Sequence, residues 1–222
     1  MISAPGSGSG KTTIVCGLLK ALMEKGLSVA VFKSGPDYID PMFHSRVIGA
    51  KSRNLDLFML GQATTRYLVA KNARHADVAV FEGAMGFYDG MGKTTEASAY
   101  ELACTCDVPV VLIVNSKGAA LSIAATIKGF KEFRSDSYIV GAILNNVNPM
   151  SYLFYKDVIE RETGVKLLGY FPVMQDCNFE SRHLGLVTAE EIGDLQQIKD
   201  SGELVVLTLY SSTSYFIYRG QD

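Results

Sequence analysis

The feature that most constrains this chain is a short glycine- and serine-rich segment, residues 5–13, which reads PGSGSGKTT. The P-loop pattern is G-x-x-x-x-G-K-[ST], and the triplet Gly10-Lys11-Thr12 matches its second half. Pro5 replaces the first glycine, while Gly6 and Gly8 supply the backbone freedom that lets N–H groups turn toward a phosphate. An ordinary Gly/Ser loop is the alternative, but strand-like residues before it and an amphipathic helix after it favour a P-loop.

This loop predicts a site for ATP and Mg²⁺. The side chain of Lys11 is expected to contact the β- and γ-phosphates, and the hydroxyl of Thr12 is expected to ligate Mg²⁺. The positive end of the following helix adds to the attraction for phosphate. The predicted nucleotide-binding residues in the loop are Gly6, Ser7, Gly8, Ser9, Gly10, Lys11, Thr12 and Thr13.

Short runs rich in Val and Ile alternate with helical patterns along the chain, as in a parallel sheet covered on both faces. The predicted strands are residues 28–32, 78–81, 108–114, 139–144 and 167–171, besides a short strand before the loop. The predicted helices are residues 11–25, 64–75, 96–106, 119–133 and 151–163. This alternation predicts an α/β fold with a doubly wound, mostly parallel sheet of the P-loop NTPase type. We expect one P-loop ATP-binding domain over residues 1–203 and an atypical aromatic tail over 204–222, with no second domain.

Composition and charge argue against several function classes. The chain has 222 residues, 48% of them hydrophobic, and a formal net charge of −2, so charge does not indicate nucleic-acid binding. No signal-peptide pattern opens the sequence and no apolar run reaches the ~18 residues of a membrane span. We therefore expect a cytoplasmic protein without membrane contact, in which the four cysteines are reduced.

Two acidic segments follow predicted strands: KSGPDYIDPMFH at residues 33–44 and EGAMGFYDG at residues 82–90. Because ligands bind at the carboxyl ends of the strands in such sheets, these segments should lie beside the phosphate loop. Asp37 and Glu82 are predicted to ligate Mg²⁺ together with Thr12. Asp37 could instead be a turn residue, Asp40 a helix N-cap, and Asp89 part of a simple turn.

These two segments resemble the signature loops of cobyrinate a,c-diamide synthases, which are similar to dethiobiotin synthetases within the P-loop class. Asn145 and the segment ESRHLGL at residues 180–186 resemble later motifs of the same family. The resemblance covers about residues 2–191. It implies ATP-dependent amidation of the a- and c-side-chain carboxylates of cobyrinate or a close tetrapyrrole, through an acyl phosphate, in cobalamin biosynthesis.

The resemblance also implies roles for individual residues. Lys33 would neutralise the incoming carboxylate or the transferring phosphoryl group, unless it is a solvated lysine at a strand end. Asp40 and Asp89 would hold the substrate, help organise the metal or accept a proton from ammonia. Asn145 lies where dethiobiotin synthetases bind adenine, and Arg182-His183 offers donors for a phosphate or carboxylate. Other candidates for substrate contact are His44, Tyr38, Phe87 and Tyr88, although a histidine on a helix surface is equally expected and aromatic residues near such loops are more often part of the core.

Proteins of the resembled family carry a C-terminal glutaminase with a catalytic cysteine, and no such Cys-His pair is recognisable here. Ammonia is therefore expected to come from a glutaminase domain or subunit absent from this chain. A homodimer is also compatible with the sequence. The alternatives are a dethiobiotin-synthetase-like ligase and a switch ATPase like ParA or MinD. The second is disfavoured because such switches carry an early loop lysine, where this chain has Gly6.

Overall fold

The computed structural model describes residues 1–173 and the backbone of two later strands. The elements of the first part are β1 (Ile2–Ser3), α1 (Lys11–Glu24), β2 (Val29–Ser34), α2 (Ile39–Phe43), β3 (Ser52–Leu55), α3 (Leu57–Ala73), β4 (Val78–Glu82), α4 (Ala99–Cys106), β5 (Val110–Asn115), α5 (Ser122–Glu132), β6 (Ile139–Asn145), α6 (Pro149–Thr163) and β7 (Lys166–Phe171). A single π-helical turn, His44–Ile48, continues α2. The later strands, β8 (Glu203–Leu207) and β9 (Tyr215–Arg219), form an antiparallel pair.

Strands β1 to β7 form one sheet in the order β3-β2-β4-β1-β5-β6-β7, and every neighbouring pair is parallel. The predicted α/β fold with a doubly wound parallel sheet is confirmed. Because β2, β4 and β1 are neighbours, the segments that follow them meet at one edge of the sheet. In open parallel sheets this carboxyl edge is where ligands bind.

Helices cover both faces of the sheet, so the side chains of successive strand residues, which point to opposite faces, are buried on both sides. Val31, Val80 and Ile113 pack with Val15 and Leu19 of α1 on one face. Their neighbours along the strands, such as Phe32, Phe81 and Leu112, pack on the other face against apolar side chains of α4, α5 and α6. This two-sided burial explains why the strands read as continuous apolar runs.

The predicted strands and helices all have a counterpart in the structure, with shifted ends. Helix α3 begins at Leu57, seven residues before the predicted start at 64, because Asp56 caps it by accepting hydrogen bonds from two backbone N–H groups. Gly61 interrupts its helical backbone with a φ of 67°, so the regular helical pattern begins only beyond that residue. The sequence did not predict β3, and it offered a helix at α2 only as the alternative in which Asp40 is a helix N-cap.

Strand β3 was missed because its sequence, SRNL, lacks the Val and Ile runs of the other strands. It forms by pairing with the edge of β2, where Val31 to Ser34 lie in register with Ser52 to Leu55. Within the described residues, no helix is long and apolar enough to cross a membrane. Whether residues 204–222 form a separate tail stays a prediction; the described part of this region is the β8–β9 pair.

Candidate functional site

The loop between β1 and α1 has the backbone shape that its glycines allow. Gly8 and Gly10 have φ angles of 73° and 90°, a region that favours glycine because it lacks a Cβ. Gly10 also precedes the first turn of α1 directly, and a Cβ there would collide with the side-chain amide of Asn145. The hydroxyl of Ser9 donates a 2.9 Å hydrogen bond to the carbonyl of Gly6, which closes the loop. The loop thus places the amino end of α1 at the carboxyl edge of the sheet.

Lys11, the first residue of α1, is buried and spans this edge. Its Nζ donates hydrogen bonds of 3.0 Å to the carbonyl of Gly6 and 2.5 Å to the carbonyl of Met85, in the segment after β4. Burial lowers the pKa of Lys11 to about 8, and the positive charge of Lys33 lowers it further. The carboxylates of Glu82 and Asp40 act in the opposite direction and raise it. A bound phosphate would favour the charged form of this lysine.

The hydroxyl of Thr12 connects the phosphate loop to the acidic residues. It donates a 2.8 Å hydrogen bond to Oε1 of Glu82 and lies 3.3 Å from Oδ2 of Asp40. The hydroxyl and carboxylate oxygens are the hard ligands that Mg²⁺ prefers, usually together with phosphate oxygens. Among the residues described, no group of three His, Cys, Asp or Glu side chains is arranged as a metal site by itself. Thr12, Glu82 and Asp40 therefore fit a magnesium ion that also binds a nucleotide.

Lys33 is the centre of a buried charge cluster. It is 3% exposed, so it is not a solvated lysine at a strand end. Its Nζ lies 2.6 Å from Oδ2 of Asp40, 3.0 Å from Oε1 of Glu82 and 3.7 Å from Oδ2 of Asp37. Burial opposes the charged form, but the charges and hydrogen bonds of Glu82 and Asp40 outweigh it and raise the pKa of Lys33.

The sheet register brings Lys33 and Glu82 together. They are directly paired residues of the parallel strands β2 and β4. Paired residues of neighbouring strands point to the same face, and each is two residues beyond a Val that packs against α1. Both side chains therefore point to the face where the phosphate loop and α1 lie.

Asp37 and Asp40 take different positions. Oδ1 of Asp37 accepts a 2.9 Å hydrogen bond from the backbone N–H of Ile39 and a 3.3 Å one from that of Asp40, so Asp37 supports the start of α2. Burial raises the pKa of Asp37, and the charge of Asp40 raises it further. Asp40 is not the N-cap of α2, which is Tyr38, but the second residue of that helix. Its buried carboxylate contacts Lys33 and Thr12 directly.

Asn54 of β3 is a site residue that the sequence did not single out. Its side-chain amide donates to the carbonyl of Gly35 at 2.9 Å and to the carbonyl of Asp37. These bonds hold the acidic segment after β2 in place. No sequence pattern marks Asn54, because its importance comes from the unpredicted strand that carries it.

His44 is fully buried behind Glu82. Its Nε2 lies 3.1 Å from Oε2 of Glu82, and its Nδ1 lies 3.4 Å from the hydroxyl of Ser52. It is therefore neither a surface residue nor placed to contact a substrate directly. Glu82 itself has no exposed surface.

Asp89 orders the segment after β4. Its Oδ2 accepts a 3.0 Å hydrogen bond from the backbone N–H of Gly86, which closes a tight turn. A Cβ at Gly86 would collide with this carboxylate and would lie 2.7 Å from the carbonyl of Pro5. This segment thus approaches the phosphate loop closely, and the glycine permits the approach.

The aromatic candidates divide between core and surface. Phe87 is fully buried in the core, and Tyr88 is half-buried with its hydroxyl donating to the carbonyl of Phe130 at 2.7 Å. Tyr38, in contrast, is 68% exposed beside the acidic segment. Of these three residues, Tyr38 is the one available to a ligand.

Asn145, at the end of β6, also reaches the phosphate loop. Its Nδ2 donates a 3.0 Å hydrogen bond to the carbonyl of Ser9. Ser7 is exposed, and Thr13 is half-buried in the first turn of α1. The predicted ligands Arg182 and His183, and the cysteine Cys177, lie outside the described residues.

Comparison with known proteins identifies the family. Residues 1–186 match the family model CbiA, described as the CobQ/CobB/MinD/ParA nucleotide binding domain. A curated protein of Clostridium acetobutylicum, named cobyrinate a,c-diamide synthase, is 40% identical over 227 residues, which cover 97% of this chain and 52% of that protein. A protein of the same name from Salmonella typhimurium is 41% identical over 197 residues, covering 86% of this chain and 42% of that protein. The chain thus spans about half the length of these relatives.

Solved structures show the same fold at low sequence identity. The cell division protein FtsY of Thermotoga maritima aligns with a TM-score of 0.56 and 18% identity, over 78% of this chain and 60% of that one. Chloroplast FtsY of Physcomitrella patens gives the same TM-score with 12% identity, over 76% of this chain and 57% of that one. These structures support the P-loop NTPase architecture and nothing finer.

Proposed function

Because this chain belongs to the CbiA family of CobQ/CobB/MinD/ParA nucleotide-binding domains, we propose that it uses ATP and Mg²⁺ to activate a carboxylate for amidation. The substrate carboxylates are the a- and c-side chains of cobyrinate or a close tetrapyrrole, in cobalamin biosynthesis. The names of its relatives support an enzyme of the synthase kind. The protein is expected to work in the cytoplasm, and a homodimer is compatible with the proposal.

One observation carries the proposal: a buried lysine between carboxylates lies directly beside the phosphate loop. Lys33 contacts Asp40 and Glu82, and Thr12 of the loop contacts the same two carboxylates. A nucleotide bound to the loop would therefore present its terminal phosphate to a cluster that contains both positive charge and metal-ligating oxygens.

The chemistry needs this combination. A carboxylate is a poor acyl donor because its negative charge repels a nucleophile. Transfer of the γ-phosphoryl group to it gives an acyl phosphate, which ammonia attacks with loss of phosphate. Such transfer depends on positioning and charge neutralisation.

Each proposed residue has a place in this scheme. Lys11 neutralises the β- and γ-phosphates, and Lys33 neutralises the incoming carboxylate or the transferring phosphoryl group. Mg²⁺, held by Thr12, Glu82 and an aspartate of the segment after β2, supplies further positive charge to the phosphates. Asp40 and Asp89 would hold the substrate, help organise the metal or accept a proton from ammonia.

The experiment is ATP hydrolysis by the purified chain with ammonium, in the presence of cobyrinate, hydrogenobyrinate or nickel sirohydrochlorin. We expect one of these acids to stimulate hydrolysis and to gain one or two amide groups by mass spectrometry. Stimulation by DNA or lipid vesicles in place of any acid would contradict the proposal and favour a switch ATPase.

The nitrogen source is tested in the same assay. We propose that this chain alone uses free ammonia, because Cys16 lies in α1 and Cys104 and Cys106 lie in α4, all within the nucleotide-binding domain. Amide formation with ammonium but not with glutamine is the expected result. Glutamate release that disappears in a Cys177→Ser variant would make Cys177 a glutaminase nucleophile and contradict the assignment.

A further inference from the structure

A buried histidine stands behind the carboxylate that faces the phosphate loop. The His44 side chain has no exposed surface, and its Nε2 lies 3.1 Å from Oε2 of Glu82. Its other ring nitrogen, Nδ1, lies 3.4 Å from the hydroxyl of Ser52 in β3. The imidazole therefore lies between Ser52 of the edge strand β3 and Glu82 at the end of β4.

Within the part of the chain that the structure describes, these two facing atoms have no other hydrogen-bond partner. Nε2 of His44 and Oε2 of Glu82 are both buried and lack a well-aligned hydrogen bond to any described residue. At 3.1 Å they are within hydrogen-bond range of each other, so a small rotation of either group aligns the pair. A buried carboxylate oxygen without a donor is costly, which makes His44 the natural donor for Oε2.

The other carboxylate oxygen of Glu82, Oε1, faces the phosphate loop. Oε1 accepts hydrogen bonds from Thr12 at 2.8 Å and from Lys33 at 3.0 Å. The terminal torsion of a glutamate is broad and roughly two-fold, so the side chain alone does not fix which way its oxygens point. A donor fixed at Oε2 removes this freedom and directs Oε1 toward the phosphate loop.

Helix α2 explains how His44 reaches this position. Asp40 and His44 are four residues apart on continuous helical backbone and therefore project from the same face. Asp40 contacts Lys33, while His44 contacts Glu82. The π-helical turn that begins at His44 ends in a 2.9 Å hydrogen bond from the N–H of Ala50 to the carbonyl of His44. Such turns are frequent at functional sites.

We infer that His44 is a positioning residue that orients the Glu82 carboxylate for metal-dependent nucleotide binding. The inference rests on the proposed role of Glu82 as a magnesium ligand. In it, Nε2 carries the proton and donates to Oε2, while Nδ1 accepts from the hydroxyl of Ser52. Removing a residue that hydrogen-bonds to a metal ligand typically changes the metal affinity by 10- to 100-fold.

Two amide substitutions at one position provide the test. A glutamine amide can occupy the place of Nε2, whereas an asparagine amide reaches only the place of Nδ1. The affinity for ATP is measured by calorimetry over a range of Mg²⁺ concentrations and again with EDTA. We expect His44→Asn to raise the half-saturating Mg²⁺ concentration by about tenfold or more, and His44→Gln to stay within about threefold of the parent protein. ATP affinity in EDTA should be the same in all three proteins.

The exposed His75 supplies the matched control, since His75→Asn and His75→Gln make the same changes on the surface. The inference would be overturned if the two His44 variants raised the half-saturating Mg²⁺ concentration equally, or if they lost ATP affinity in EDTA as well. Either result would leave His44 a purely structural residue. If thermal unfolding shows that neither His44 variant is folded, the Mg²⁺ titration is repeated with Ser52→Ala. A rise of about two- to threefold in half-saturating Mg²⁺ would support the inference, and no rise would overturn it.

Because the readout is nucleotide binding, it does not depend on amidation. If no tetrapyrrole acid is amidated, the proposed function fails while the Mg²⁺ titrations still test His44. If amidation occurs but the two amide variants do not differ, only the inference about His44 fails.

Discussion

The hydroxyl of Thr12 donates a 2.8 Å hydrogen bond to Oε1 of Glu82, across the junction between the phosphate loop and the end of β4. The same oxygen lies 3.0 Å from Nζ of Lys33. One carboxylate oxygen thus links the residue expected to hold Mg²⁺ with the lysine expected to neutralise the substrate. A change at Glu82 should therefore affect metal dependence and phosphoryl transfer together.

The Glu82→Gln substitution keeps the shape of this side chain and removes its charge. We expect Mg²⁺-dependent ATP turnover to fall about 100-fold, because Lys33 loses a charged partner and the metal loses a ligand. Turnover is measured against Mg²⁺ concentration, with Glu24→Gln on the surface of α1 as the control. Normal magnesium dependence in a folded Glu82→Gln protein would show that this carboxylate is structural.

The two aspartates of the segment after β2 can be separated by substitution. The side-chain oxygen of Asn can accept the same two backbone hydrogen bonds that Asp37 accepts at the start of α2, so Asp37→Asn should preserve this helix and its stability. Asp40 contacts Thr12 and Lys33, so we expect Asp40→Asn to raise the half-saturating Mg²⁺ concentration more than Asp37→Asn does. The reverse order would make Asp37 the principal metal ligand, as the sequence predicts.

The Lys11→Ala substitution removes the positive charge at the start of α1. Without it, the β- and γ-phosphates lose a direct cationic partner, and we expect affinity for MgATP or its turnover to fall about 100-fold. The control is Lys20→Ala, which removes a surface lysine of the same helix that pairs with Glu24 at 3.8 Å. Unchanged binding and turnover in folded Lys11→Ala would refute the assignment of the phosphate loop.

Asn145 has two competing roles, adenine recognition and support of the phosphate loop. The 3.0 Å bond from its amide to the carbonyl of Ser9 favours the second. We therefore expect Asn145→Ala to weaken binding of ATP and of inorganic tripolyphosphate by similar factors, of about five- to tenfold for one lost hydrogen bond. A loss confined to ATP in competition titrations would instead assign Asn145 to the adenine.

The thiols of α4 should react slowly with alkylating reagents. Burial is the main cause that raises the pKa of both Cys104 and Cys106, so less thiolate is present at a given pH than in a free cysteine. We expect their alkylation rates, followed by peptide mass spectrometry with iodoacetamide, to keep rising beyond pH 9. A plateau near the ordinary thiol pKa of about 8.5 would contradict the raised values.

Local chemistry accounts for what the sequence alone determined. The glycines and Lys11 of the phosphate loop act through their own backbone and through the helix that follows, so their spacing predicts their structure. Strands such as β4 and β5 are recognisable because residues buried on both sheet faces must be apolar. The alternation of these elements then predicts the parallel α/β fold, and the fold predicts which loops approach the nucleotide.

The tertiary structure decided which side chains within those loops meet. Lys33 pairs with Glu82, 49 positions away, because β2 and β4 are neighbours in register. The sequence shows neither the strand order nor the register, so it predicted Asp37 as the metal ligand, although Asp40 is the aspartate that contacts Thr12, and it could not reveal the buried His44. Asn54 was missed for the same reason, since it acts from a polar edge strand that exists only by pairing with β2. Contacts between residues far apart in the chain depend on sheet order and burial, which no single segment encodes.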